Sequence, residues 1–336
     1  TTGSAAADWV SARIDKFAPD VIIASRYNGP HVERFLDAAR KRTIPLIYHI
    51  DDDLLHVPPE MGRSKYLSYN HPSRQRWLRA LLEGADLVYC SNGRLRHRLV
   101  SSLPSLRHVV AGEINLSARI LAPVELRPVR RIGYMGFDHA EDFDIVVEQL
   151  DRVLELHPEL EFELIAPFEL PAALARHEGR VRRLEPIRDY PTFMEYLAGR
   201  RWDIGIAPLA YTPFNFTKSH NKWAEYTATG SAVVASKGLI YDTCAGQGRG
   251  LLVAPSEWEA ALSVLISEPE VRYQMVMAAQ TELVLSFSID RLTNQVMGVI
   301  ADARRIVSER VMGAGRTRRR GFASRDDGRL IPEDVV

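Results

Sequence analysis

The stretch Trp202-Asp203-Ile204-Gly205-Ile206-Ala207-Pro208-Leu209, followed shortly by Lys218-Ser219-His220-Asn221-Lys222-Trp223-Ala224-Glu225-Tyr226, decides how this chain is read. The first segment is a short apolar run closed by a proline, the pattern of a buried strand ending in a turn. Ser219 is a candidate helix N-cap. A helix starting there puts Lys222 and Glu225 on one face, with Lys218 just ahead of the first turn. Two cations and a carboxylate then meet at a positive helix end, above the carboxyl end of a strand. A lysine at that position opposes the helix dipole unless an anion is bound. The arrangement suits a diphosphate held by the lysines and helix amides, with Glu225 accepting from sugar hydroxyls. The plainer alternative is a solvated Lys–Glu pair. Asn215, Thr217 and Ser219 add donors and acceptors nearby.

Outward from this stretch, short apolar runs alternate with amphipathic segments, which predicts parallel sheets covered by helices. Strands are expected at 20–24, 45–50, 86–90 and 107–110, with helices at 6–17, 30–42, 72–84 and 92–102. Residues 121–130, which include Pro123 and Pro128, read as an interdomain linker. A second series of strands is expected at 131–136, 161–166, 181–184, 203–208, 232–236 and 250–253, with a long helical segment over 268–312. The fold class is therefore α/β, with two Rossmann-like, doubly wound domains, 1–120 and 131–312, facing across a cleft. The remainder, 313–336, with Arg316, Arg318, Arg319 and Arg320, is a basic tail or a linker to a further domain.

At 336 residues the chain has room for two ordinary domains. It is 46% apolar and 26% charged, with zero net charge, so no global field recruits nucleic acid. Cys90 and Cys244 make no disulfide framework and fit a reducing, cytoplasmic setting. No apolar run approaches the roughly 20 residues needed to span a bilayer. The chain begins Thr1-Thr2-Gly3-Ser4 without a methionine, as expected of a piece of a longer protein. Neither cysteine has a metal-ligand partner at suitable spacing. Gly133-Tyr134-Met135-Gly136-Phe137-Asp138-His139 is a strand-to-helix turn whose glycines could admit a phosphate, with Gly133, Gly136 and Asp138 as candidate contacts. Its spacing is not that of a dinucleotide fingerprint.

Ile132-Gly-Tyr-Met-Gly136, Asp203-Ile-Gly-Ile-Ala-Pro-Leu209, Pro213-Phe-Asn215 and Lys218-Ser-x-x-Lys-x-x-Glu-Tyr-x-Ala-x-Gly230 with Ala232-Val-Val-Ala-Ser236 together resemble the C-terminal half of retaining GT-B glycosyltransferases. The bacterial surface-polysaccharide enzymes are the nearest in flavour. The likeness is most specific over 203–236. It implies a nucleotide-sugar donor, a glycan or lipid-linked acceptor, and no metal requirement. Glu225 matches the second glutamate of the family's paired motif, which contacts the ribose, and Lys218 and Lys222 are then candidates for the diphosphate. The first glutamate's position is Thr217, a departure that puts donor identity and activity in question. A nucleotide-sugar epimerase or a non-catalytic binding module on the same fold remain as alternatives.

The first half resembles the family more loosely and is short for it. Pro45-Leu-Ile-Tyr-His49-Ile-Asp51-Asp52-Asp53 is similar to the strand end that faces donor sugar and acceptor. His49 or Asp51 would then position an acceptor hydroxyl or take its proton. Asp51-x-Asp53 also fits the carboxylate pair that holds a metal in GT-A enzymes, and a simple strand-ending Asp cluster is a third reading. Tyr27 and Asn28, in the loop after the first strand, are candidates to meet an acceptor. Arg74, Arg76 and Arg79, with Arg94, Arg96 and Arg98, make two basic stretches, read either as solvated helix faces or as a peripheral contact with an anionic membrane.

Overall fold

The computed structural model describes residues 3–137 and 140–323. Asp138 and His139, the side chains of Arg316, Arg318, Arg319 and Arg320, and residues 324–336 lie outside the described residues. The first unit runs α1 (Gly3–Phe17), β1 (Ile22–Ser25), α2 (Val32–Lys41), β2 (Leu46–Ile50), α3 (Arg63–Tyr69), α4 (Pro72–Gly84), β3 (Leu87–Cys90), α5 (Gly93–Ser102) and β4 (Val109–Ala111). The second runs β5 (Arg131–Met135), α6 (Ala140–Asp144), α7 (Val147–Leu156), β6 (Glu161–Ile165), α8 (Ala172–Ala175), β7 (Val181–Leu184), α9 (Tyr190–Arg200), β8 (Ile204–Ala207), α10 (Asn221–Ala228), β9 (Ala232–Ser236), β10 (Leu251–Val253), α11 (Trp258–Ser267) and α12 (Pro269–Phe287). Helix α13 (Ile289–Ala323) follows.

Both sheets are wholly parallel. The second has the order β10-β9-β8-β5-β6-β7, a doubly wound arrangement whose direction of winding reverses between β5 and β8. Its two faces bury separate cores. Ile132, Tyr134, Phe162 and Ile206 pack under α7, α11 and α12. Met135, Ile165, Ala207 and Val233 pack under α9 and α10. Alternate strand residues supply the two faces, as the period of two requires.

The first sheet has the sequential order β1-β2-β3-β4. Tyr48, Ile50, Val88 and Cys90 meet α2, α4 and α5 on one face. Ile47, Leu87 and Tyr89 on the other face pack against Val299 and Ala303 of α13. Helix α13 therefore begins within the range assigned by sequence to the second unit, yet past Leu292 it covers the first sheet. The uncovered face of a sequentially wound sheet needs such a cover, and the returning C-terminal helix supplies it. Among the described residues, no helix is long and apolar enough to cross a membrane.

Gly133 and Gly205 are register partners across the β5–β8 ladder, at the reversal point. A Cβ on Gly133 would run into the Trp202 ring, and one on Gly205 into the Tyr226 ring. The paired glycines thus make room for two aromatic side chains whose ring centroids lie 5.9 Å apart. Tyr226 Oη accepts from the Met135 amide at 3.0 Å and donates to the Ile206 carbonyl at 3.2 Å, bridging the strands where they splay. Gly133 is consequently a packing glycine that does not line the cleft, a correction to its reading as a ligand contact.

Candidate active site

Carboxyl ends of β5 and β8 flank the reversal point, where open α/β sheets bind ligands. A cavity of about 420 Å³ lies there, between the units. Met135, Gly136, Tyr190, Lys218, Ser219, Lys222 and Glu225 line the second-unit wall, and Arg26, Asp51, Asp52 and Lys65 the first-unit wall. Lys218, Lys222 and Glu225, the core of the sequence argument, are brought together.

Helix α10 begins at Asn221 rather than at Ser219, and its N-cap residue, His220, makes no side-chain capping bond. Ser219 instead gives its hydroxyl to Glu113, so it lines the cleft without capping the helix. Lys222 Nζ sits 5.6 Å above the Tyr134 ring and Lys218 Nζ 5.3 Å from the Phe214 ring. Burial, then repulsion from Lys222, brings the Lys218 ammonium down to about 8. Burial also lowers Lys222, against the pull of Asp142 and Glu225. Burial lifts Glu225 to about 7, opposed by Lys222 and by a hydrogen bond from Tyr190. Two desolvated ammoniums on one wall form a site that gains most when a dianion arrives.

Glu225 carries a stability consequence. Its carboxyl rises from an ordinary 4.5 to about 7 in the fold, so the ionised form is disfavoured there. The favourable contribution is complete below 4.5 and lost as pH climbs through about 7. Glu225→Gln should therefore raise the melting temperature of the unliganded protein at pH 8, with the gain shrinking toward pH 5. Scanning calorimetry at both values checks this, and an equal gain at both would remove the burial of charge as its cause.

Other expected contacts fall elsewhere. Thr217 is buried and gives its hydroxyl to the Phe214 carbonyl at 2.9 Å. Asn215 is buried too, donating to Asp142 at 3.1 Å and to the Ala210 carbonyl at 2.9 Å. Both shape the loop beneath the lysines instead of meeting ligand. Gly136 lines the cleft. Tyr27 donates to the Pro30 carbonyl and lines an apolar groove with Trp9 and Phe17, away from the cleft; Asn28 lines neither. His49 turns toward the α13 side of its sheet, with Nδ1 2.9 Å from Ser25 Oγ and its ring 5.4 Å from that of Tyr89. It does not line the cleft, which removes it as an acceptor base.

Asp51 does face the cleft, paired with Arg26 at 2.7 Å. Arg26 also reaches Asp52 at 3.3 Å. Asp53 turns the other way, fully buried between His56 at 2.9 Å and Arg98 at 3.1 Å. The Asp51-x-Asp53 pair therefore does not converge on a common point. Among the described residues no group of three or more His, Cys, Asp or Glu is arranged to hold a metal. The basic stretches are partly consumed internally as well. Arg98 serves Asp53, Arg94 lies 4.3 Å from the Phe216 ring, Arg74 lies 5.8 Å from the Tyr69 ring, and Arg76 meets Glu33 at 3.6 Å. Arg79 and Arg96 are exposed.

Sequence reasoning passes over Lys65, Arg188 and Tyr190, which line the cleft, whereas Arg26 and Asp52, which line it too, belong to strand-end segments it sets there. Burial, followed by repulsion from Asp51, raises the Asp52 carboxyl above its usual range. Lys65, Arg188 and Tyr190 have no local strand-end signal of this kind.

Two parallel α/β units meeting at a cleft over the second sheet's reversal point define the GT-B class of fold. No protein-family model matches the sequence, and no curated protein matches it significantly. Among solved structures, TarM superposes with a TM-score of 0.63 at 10% identity, over 88% of this chain and 58% of that one. The chain thus spans little more than half of TarM's length. TarM from S. aureus has also been solved with Fondaparinux, alpha-GlcNAc-glycerol and UDP, and matches at 0.64. HepE from Anabaena, in complex with UDP and glucose, gives 0.61 at 17% identity, over 87% of this chain and 80% of that one. The trehalose-6-phosphate synthase OtsA gives 0.62 at 16% identity, over 88% and 75%. The chain has the fold of these GT-B glycosyltransferases.

Proposed function

We propose that this chain is a glycosyltransferase that moves a sugar from a nucleotide-sugar donor to a glycan or lipid-linked acceptor, with retention of configuration, in the assembly of surface polysaccharide. One observation carries the reading: Lys218, Lys222 and Glu225 share a wall of the cleft at the β5–β8 reversal point. Binding of UDP by the fold neighbours TarM and HepE supports it. The two lysines would neutralise the departing nucleoside diphosphate, where charge grows as the glycosidic bond breaks. Glu225, steadied by Tyr190, would accept from ribose hydroxyls. Across the cleft, Arg26 would hold Asp51 and Asp52 toward the acceptor. Asp52, whose carboxyl burial raises above its usual range, would be a proton acceptor there. The lysines supply counter-charge, so no divalent metal is required.

A calorimetric screen of UDP, GDP and their sugar conjugates, with and without magnesium, followed by assay with acceptor glycans, tests this. Productive binding needs Glu225 ionised and Lys218 protonated. Their values of about 7 and about 8 set a window, so kcat/KM should peak between pH 7 and 8 and fall on both sides. Epimerised donor formed without acceptor, or nucleotide binding with no turnover for any donor, would replace transfer with isomerisation or with simple binding.

A further inference from the structure

The turn that carries Lys218 is gripped by the first unit. Asn92, the N-cap of α5, donates from Nδ2 to the carbonyls of Thr217 at 2.9 Å and Lys218 at 3.1 Å. Its Oδ1 meanwhile accepts from the Leu95 amide at 2.9 Å. On the other side of the turn Glu113, just past β4, takes the Ser219 hydroxyl and lies 3.1 Å from His220 Nδ1. Phe214 is buried in the first unit's core, although its neighbours in sequence belong to the second. The segment leading into α10 belongs to the second unit by sequence, yet it is held from both sides, by Asp142 of the second unit and by Asn92 and Glu113 of the first.

Resting on the glycosyltransferase reading, we propose that Asn92 is a positioning residue for the donor: by holding the Thr217 and Lys218 carbonyls it fixes Lys218 at the diphosphate end of the cleft, so that the donor site is complete only while the two units are apposed. Phe214 anchors the turn to the first unit through its buried ring, and its carbonyl takes the Thr217 hydroxyl at 2.9 Å within the turn itself. Asn92 supplies direction, because one amide group bonds two successive carbonyls and fixes the peptide between them. Without those bonds the Lys218 ammonium leaves its place among Lys222, Asp142, Asp52 and Lys65 for water, and its titration moves toward that of an ordinary lysine.

Asn92→Ser separates this role from simple stability, since serine still caps α5 for the Leu95 amide but reaches neither carbonyl. Asn92→Ala removes cap and grip together. Two measurements on the whole chain decide. The first is the pH dependence of Lys218 acylation by acetic anhydride, read by mass spectrometry. In the unsubstituted protein it should titrate near 8, and in Asn92→Ser clearly higher. The second is the calorimetric Kd for UDP, which should weaken about tenfold in Asn92→Ser through loss of two neutral hydrogen bonds. Asn92→Ala should match these changes with a lower melting temperature. An unchanged Lys218 titration in Asn92→Ser overturns the proposal, as does a shifted titration with unchanged UDP affinity. If no nucleoside diphosphate binds the unsubstituted protein, the donor reading fails, and the acylation result still decides whether Asn92 holds the turn.

Discussion

Lys222→Ala should lower kcat/KM for sugar transfer by about 10²–10³, the loss typical of removing one preorganised charge from a developing anion. That corresponds to about 2.7–4 kcal/mol of transition-state stabilisation. Lys222 stands in the first turn of α10, where on the proposed reading its charge would add to the helix amides on one phosphate. Its amine is desolvated in the unliganded protein, so nothing has to be stripped from it when the diphosphate arrives. The variant's melting temperature separates loss of fold from loss of counter-charge, since removing Lys222 lifts a burial penalty but also takes its attraction from Glu225 and Asp142. The substitution also leaves a mark on the pH profile. Lys222 opposes the rise of Glu225, and without it the Glu225 carboxyl moves above about 7 and takes the acid limb with it. A steady-state comparison over pH 6–9 reads both effects. Activity within a few-fold of the unsubstituted protein would place the leaving diphosphate elsewhere.

Local pattern brings Lys222 and Glu225 into view because their place on the cleft wall depends on spacing along one helix and on a strand just before it. Ser219 lines the cleft but does not cap α10. Its hydroxyl is claimed by Glu113 of the other unit, a partner that no local rule anticipates. Thr217 and Asn215 were offered as ligand contacts because they are polar and near; Asp142 and a backbone carbonyl had already taken their donors. Arg26, Asp52, Lys65 and Tyr190 reach the cleft from four different segments, and only the assembled units make them neighbours. Strand positions were easier, since a buried parallel strand is an apolar run wherever it sits. The winding of the first sheet was not, because its second face depends on a helix from the far end of the chain.

Gly133→Ala should leave little or no folded protein. The added methyl carbon would lie well inside the roughly 3.5–4.0 Å at which carbon atoms ordinarily meet, against three atoms of the Trp202 ring. Overpacking of a well-filled core typically costs about 1–3 kcal/mol, and more where the neighbour cannot yield. Trp202 cannot yield freely. Its indole Nε1 donates to the buried Glu163 carboxylate at 2.7 Å, which Arg200 also holds, and the Tyr226 ring stands on its other side. Displacing the indole breaks a bond to a charged acceptor, which adds about 1.5–3 kcal/mol. The sum approaches the whole stability of a marginal domain, about 5–15 kcal/mol. Expression should fall sharply, and any soluble protein should melt at least about 10 °C lower, given a few degrees per kcal/mol in a chain this long. Shrinking the neighbour supplies the decisive control. Trp202→Leu alone opens a cavity and leaves Glu163 short of a donor, so it is destabilising, yet the double variant Gly133→Ala with Trp202→Leu should be more stable than the sum of the two losses predicts, because the methyl group fills space the indole vacated. Strict additivity in that cycle, or a Gly133→Ala protein melting within about 2 °C of its parent, would mean that the glycine is not there to admit the tryptophan.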